Sequence, residues 1–165
     1  MSKENTKLRL ALPDEAATLA VQDPLAFRRT LLKGKTRELA VLDTVAEMSG
    51  WGRKLPQGQG LGLAINSIFD SVIAQVAHVT VANGQVRVNK VWCVYEAGLV
   101  IDPLNVEAQM EGGIVFGLSA ALFGEITLDK GAVQQSNFID YDVVRMATMP
   151  AGSPRSSRRR AACPG

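Results

Sequence analysis

The stretch "AQVAHVTVANGQVRVNKVWCVYEAG", residues 74–98, decides the fold. It holds two runs rich in β-branched and aromatic residues, separated by Asn83-Gly84. That pair tolerates the two positive φ angles of a type I′ turn, so the runs read as an antiparallel hairpin. A two-residue turn sets Val81 opposite Val86, Val79 opposite Val88 and Gln75 opposite Trp92 on one face. Thr80, Arg87, His78 and Asn89 then fall near one end of the other face. The chain's one histidine, His78, is therefore expected to face solvent among polar neighbours, with no catalytic or metal role. Cys93 reads as a small core residue; with Cys163 it forms neither a metal-binding spacing nor a disulfide framework.

Upstream the pattern is helical. "LPDEAATLA" predicts a helix that begins near Pro13 with acids in its first turn, and "QDPLAFRRTLLK" offers Asp23 as N-cap before Pro24. In "TRELAVLDTVAEMSG", Leu39, Leu42, Val45, Ala46 and Met48 recur at helical spacing, with Thr36 to cap and Gly50 to terminate. Arg28, Arg29, Arg37 and Glu38 are expected on solvated faces. The passage "GWGRKLPQGQGLG" lacks the strand before and the helix after that a phosphate loop needs, so it is expected to be a flexible connector into the sheet.

Downstream, Asp102 and Pro103 predict the start of a long helix that contains "QMEGGIVFGLSAALFGE", residues 109–125. Gly112, Gly113 and Gly117 inside it cost about 1 kcal/mol each relative to alanine, so a structural or functional reason for them is required. Steps of four give a bulky stripe, Met110, Ile114, Leu118 and Leu122, beside a smooth one, Gln109, Gly113, Gly117 and Ala121, which Gly112 widens. The smooth stripe suits a strand lying close, with Gln109 capping a loose backbone group, or a flat ligand. Beyond the helix, "GEITLDKGAVQQSNFIDY" predicts a second hairpin around Asp129, Lys130 and Gly131. The expected class is α+β: short N-terminal helices, an antiparallel sheet with its hairpin at Asn83-Gly84, and one long glycine-containing helix packed on it.

Of 165 residues, 47% are apolar, enough for a sizeable core and too many for a disordered chain. The formal charge is +2, but the last fifteen residues hold Arg155, Arg158, Arg159 and Arg160 and no acid; removing those four charges from +2 leaves −2. The basic balance belongs to the tail, and nothing in the rest is patterned for nucleic acid. The longest apolar run, 114–123, is too short to span a membrane, and no signal peptide is read at the start, so a cytoplasmic location is expected.

"GLVIDPLNVEAQMEGGIVFGLSAALFGEITLDKGAVQQSNFIDY", with "DPLAFRRTLL", "VLDTVAEMSGWG" and "FDSVIAQVAHVTVANGQVRVNKV", resembles the large molybdenum-binding subunit of the xanthine dehydrogenase and aldehyde oxidase family. Within that family it resembles the isoquinoline 1-oxidoreductase beta-subunit branch. The resemblance runs from about Leu12 to Met149. It implies a molybdenum hydroxylase, an oxidoreductase that hydroxylates N-heterocycles or aldehydes with oxygen taken from water. It also implies molybdopterin cytosine dinucleotide as cofactor, 2Fe-2S clusters on an iron-sulfur small subunit, and a small-molecule substrate. In the family the glutamine heading this helix hydrogen-bonds the pterin. Gln109 stands there, with Gly112 and Gly113 allowing a close approach.

The departures are as informative. The family's catalytic glutamate lies in a Gly-Glu-Pro motif well downstream of this helix, and this chain has none: Gly124-Glu125 is followed by Ile126. Glu107, Glu111 and Glu125 read as surface or hairpin carboxylates. Neither a catalytic residue nor a metal ligand is assigned. After "VVRMATMP" the resemblance stops, as a shifted reading frame in GC-rich DNA would make it stop; the alternative is a genuine basic tail for an acidic partner. The expectation is thus a C-terminal fragment of the large subunit, inactive alone, with residues 1–150 a partial cofactor-binding domain and 151–165 an unstructured basic tail. It would pair with the remainder of the large subunit. The competing expectation is a non-enzymatic binding or assembly module that associates with another subunit.

Overall fold

The hairpin forms as its sequence dictates. In this computed structural model, which describes residues 13–137 and 139–150 and the backbone of 155–158, β2 (Ser71–Ala82) and β3 (Gln85–Glu96) pair antiparallel. Asn83 and Gly84 turn at φ 53° and 75°, as a type I′ turn requires. Val81 faces Val86 and Val79 faces Val88, as the two-residue turn sets them.

One step further the register shifts. His78 pairs with Lys90, Val76 with Trp92 and Gln75 with Cys93, so Trp92 lies opposite Val76 and not Gln75. Asn89 is the extra residue of a β-bulge, and its amide donates to Thr80 Oγ1 at 2.7 Å. A bulge inverts the alternation of side chains beyond it. Here it aims Val91 and Cys93 at one layer of the core and Trp92 and Val94 at the other. His78 is half-buried rather than solvent-facing, and its Nε2 sits 2.8 Å from Gln59 Oε1.

A third strand, β1 (Gln59–Ile68), pairs antiparallel with β2 and takes in glycines assigned above to a connector. Gly58, just before it, has φ 80°, and a Cβ there would lie 2.9 Å from the Val81 carbonyl oxygen. That close approach and that dihedral select glycine. The β1–β2 turn uses Phe69 and Asp70, both at positive φ; the lack of glycine hides it from a sequence reading.

Helices cover both faces of the sheet. The first, α1 (residues 13–19), and α2 (Pro24–Leu31) precede α3 (Thr36–Ser49). Val41, Leu42, Val45 and Ala46 of α3 pack on Leu63, Val72, Ala74, Val76, Trp92 and Val94. On the opposite face α4 (Pro103–Leu122) lays Ile114, Leu118 and Leu122 over Val88, Val91 and Cys93. The bulky stripe is thus a core face, and the layers run helix, sheet, helix. Cys93 is fully buried, which pushes its thiol up to about 11 against a weak contact from the Gln75 amide. The second hairpin forms between β4 (Leu128–Asp129) and β5 (Ala132–Val133) with Lys130-Gly131 at its turn.

Of the charges expected on solvated faces, Arg28 is buried instead, while Arg37 is exposed as expected but paired. Arg28 is 3% exposed and bonds Asp14 Oδ1 at 2.5 Å and the Pro24 carbonyl at 3.3 Å. Arg37 donates to the buried Glu96 carboxylate, which also accepts from Gly98 N at 2.9 Å. The charge and hydrogen bonds of Glu96 hold the Arg37 guanidinium above its ordinary value. Arg29, paired with Asp43 at 2.8 Å, lies on the surface as expected. Thr36 is the first helical residue of α3, Lys35 being its N-cap, while Gly50 terminates the helix at φ 63°. In the tail, Arg155–Arg158 form β6, parallel to β3 from Trp92 to Tyr95. This departs from the expectation of an unpatterned tail: the free backbone edge of β3 can pair with any extended segment, whatever its side chains. The remainder of that tail lies outside the described residues.

Asp23 caps α2 through Leu25 N and Ala26 N, both at 3.0 Å, and accepts from Trp51 Nε1 at 3.0 Å, which ties α2 to the end of α3. Partial burial opposes ionisation, but the bonds from Trp51, Ala26 and Leu25, with nearby Arg29, outweigh it and hold the carboxyl below its usual value. Asp23→Ala is expected to cost about 1–2 kcal/mol at neutral pH. Because the folded pKa is depressed, that stability is full above the ordinary Asp value of about 3.9 and is lost as pH falls through the lower folded value. Urea denaturation of both proteins across pH 2–7 (roughly the range in which carboxylates titrate) checks this, with the two curves converging at the acid end.

Candidate functional site at the glycine helix

The long helix starts cleanly. Asp102 Oδ1 accepts from Leu104 N at 3.1 Å and Asn105 N at 3.2 Å, and Pro103 occupies the first turn, where its missing N–H costs nothing. Its far end is held through Ser119, buried, whose hydroxyl donates to the Val115 carbonyl at 2.9 Å and accepts from Val144 N at 3.0 Å. Ser119 thereby ties the end of the helix to the segment around Val144.

The sequence raised two explanations for the small residues, and among the described residues the first does not apply: no strand of theirs lies against this stripe. Gln109, Gly112, Gly113, Gly117 and Ala121 are all exposed, and a Cβ built at any of the three glycines would meet nothing within 4 Å. Gln109 is brought together with Gly112 and Gly113 on one exposed face, and its amide is unpaired among the described residues. Flanking this smooth ground, Leu104 is 74% and Phe116 79% exposed. From Gly112 to Ala121 the helix carries no charged side chain. A helix that is apolar all round is normally buried, and an exposed uncharged face of this extent marks a surface made to be covered.

The carboxylates keep to the margin. Glu107 and Glu111 are half-buried and engaged, while Glu125 is exposed. Asp140 closes the neighbouring loop by accepting from Ser136 N at 2.9 Å and Asn137 N at 2.8 Å, which lowers its pKa. Among the described residues no group of His, Cys, Asp and Glu could hold a metal ion. No helix among them is long and apolar enough to cross a membrane.

The donor set suits a ring edge of mixed polarity. A primary amide offers two N–H donors and a two-lone-pair acceptor, and the bare backbone beside it admits a planar group at van der Waals distance. A molybdopterin has such an edge and such a plane, so the exposed groups fit it in chemistry. The surface is open and does not enclose a ligand by itself.

Comparison with known proteins gives the same direction. A family model described as the molybdopterin cofactor-binding domain matches residues 43–150. The isoquinoline 1-oxidoreductase subunit beta of Brevundimonas diminuta is 40% identical over 145 residues, covering 85% of this chain and 19% of that protein. A membrane-bound aldehyde dehydrogenase (pyrroloquinoline-quinone) of Gluconacetobacter polyoxogenes is 31% identical over 159 residues, covering 83% of this chain and 20% of its own length. The chain therefore spans about a fifth of the length of these curated relatives. A crystal structure of Cu,Mo-CO dehydrogenase overlaps 53% of this chain and 11% of its own, with a TM-score of 0.47 at 21% identity.

Proposed function

Because this chain belongs to the molybdopterin cofactor-binding domain family, we propose that it supplies one wall of the cofactor site of a molybdenum hydroxylase large subunit, completed by further large-subunit sequence. Gln109 hydrogen-bonds the pterin edge, and Gly112 and Gly113 let the pterin or the adjoining chain reach the helix backbone. The cofactor is the cytosine dinucleotide form of molybdopterin, and electrons leave through 2Fe-2S clusters on an iron-sulfur small subunit. When bound, the molybdenum group supplies the two-electron redox chemistry by which an aldehyde carbon, or a carbon beside a ring nitrogen, gains oxygen from water. This chain's own residues bind and orient; none described here is placed to move the substrate's proton, so the chain alone is inactive.

The observation that carries this reading is the empty glycine face. Three helix glycines cost about 1 kcal/mol each, and no contact among the described residues offsets it. Gly113→Ala should therefore stabilise the isolated chain by about 0.5–1 kcal/mol. Gly113→Leu should be tolerated there, because the space is open. In a subunit completed with the remaining large-subunit sequence, Gly113→Leu should instead overpack the covered site, at about 1–3 kcal/mol, and lower molybdenum content per folded protein. Equal behaviour of Gly113→Leu in both contexts, with full cofactor, would show that nothing lies on this face. A binding or assembly module without catalysis predicts no molybdenum in the completed protein at all.

A further inference from the structure

The two edges of the main sheet differ. The outer side of β3 is taken by β6, whereas no described strand pairs with the outer side of β1. The Val81 amide donates to the Gly58 carbonyl at 2.7 Å, which makes these two residues a hydrogen-bonded pair. Such pairs alternate along an antiparallel ladder, and the β1–β2 register runs without a shift. Gly60, Gly62, Ala64 and Asn66 therefore bond to β2, and Leu61, Leu63, Ile65 and Ser67 aim their N–H and C=O groups outward. Gln59, on the same outward side, already donates its N–H to the Pro56 carbonyl at 3.1 Å. Natural sheet edges are blunted by charge, proline, a bulge or a cover. Residues 59–68 hold no charged residue and no proline, and the bulge lies in β3 instead.

We infer that this edge pairs antiparallel with β1 of a second copy of the chain, about a two-fold axis at Leu63. Leu63 is the midpoint of the outward set from Gln59 to Ser67, so this register uses the strand in full. Leu63 then exchanges both backbone bonds with its own counterpart, and Leu61 exchanges both with Ile65 of the other copy. The side chains suit that register on both faces. Toward α3, Leu61, Leu63 and Ile65 belong to the core and continue it across the axis, leucine beside leucine and leucine beside isoleucine. Toward α4, Gly62 meets Ala64 of the other copy; both are exposed, and neither is bulky or charged. A two-fold contact is self-complementary by symmetry, and this one closes two open edges at once. It is built by β1 alone and does not rest on the reading of the glycine helix.

The test is sedimentation velocity of the full 165-residue chain over a dilution series, with backbone hydrogen exchange at both ends of the series. A monomer–dimer equilibrium is expected, and the amides of Leu61, Leu63 and Ile65 should become protected as the dimer fills. Ala64→Lys puts a charge on the exposed side of the edge without touching the core. Like charges close together across a ladder repel, so the dimer should weaken about tenfold or more while the fold is kept. Ala64→Ser, small and uncharged, should leave the dimer intact, and so should Phe116→Ser, which alters the uncovered face of α4 instead. A chain still monomeric at about 1 mM, a dimer indifferent to Ala64→Lys, or one lost in Phe116→Ser would each overturn the inference. Protection of the same amides in a completed subunit that holds a single copy would assign the edge to a strand of the remaining large-subunit sequence, and would overturn it too.

Discussion

Leu42→Ala is expected to destabilise the chain by about 3–5 kcal/mol, the upper part of the range for buried leucines. Leu42 is wholly inaccessible and sits among Val41, Val45 and Ala46 of α3, facing Val72, Ala74, Val76 and Trp92 of the sheet. The surrounding residues come from two layers that the hairpin and the helix hold in place, so the site collapses little when atoms are removed and a cavity remains. A domain of this size has about 5–15 kcal/mol in all, so the variant should be substantially unfolded in mild urea. Leu31→Ala, at a position 59% exposed, should cost much less. Urea midpoints for both variants check the pair; a loss under about 1 kcal/mol for Leu42→Ala would mean that α3 does not form the main core.

The elements that a sequence can show are those with local causes. Asn83-Gly84 fixes a turn through its own dihedrals, Asp23 and Asp102 cap helices through their own side chains, and Ile114, Leu118 and Leu122 face the sheet because four residues make about one turn. What was hidden has non-local causes. The bulge at Asn89 is settled by a bond to Thr80 across the hairpin and by two cores competing for Trp92 and Cys93. The Arg37–Glu96 pair joins residues 59 positions apart, and the burial of the Arg28 guanidinium depends on where α1 packs. The Phe69-Asp70 turn could be suspected mainly from β-rich runs on both sides of it, since Asp70 tolerates positive φ but Phe69 does not favour it.

The candidate site divides in the same way. The smooth stripe and its glutamine were legible in the spacing of Gln109, Gly113, Gly117 and Ala121. Whether a strand or a ligand explains that stripe was not, because both ask the same of a sequence. The fold narrows the question without choosing between them: the sheet takes the bulky stripe, and among the described residues nothing covers the small ones. The isoquinoline 1-oxidoreductase subunit beta, matched over 19% of its length, leaves ample further sequence to cover such a face.

Gln109→Ala should have the largest effect on function and almost none on folding. Its side chain is exposed and unpaired among the described residues, and alanine is the better helix former, so stability should hold or rise slightly. In the completed subunit, losing this amide leaves pterin polar groups without partners, at about 1–3 kcal/mol, equivalent to roughly 5–150-fold weaker cofactor retention. The most direct measurement is molybdenum and pterin content per folded protein, with turnover, for the completed wild-type subunit and its Gln109→Ala variant at matched melting temperature. The expected result is a cofactor-loaded wild type and a variant that folds normally while losing most of its molybdenum or its turnover. Full cofactor and full turnover in Gln109→Ala would contradict the assignment of this helix to the pterin site.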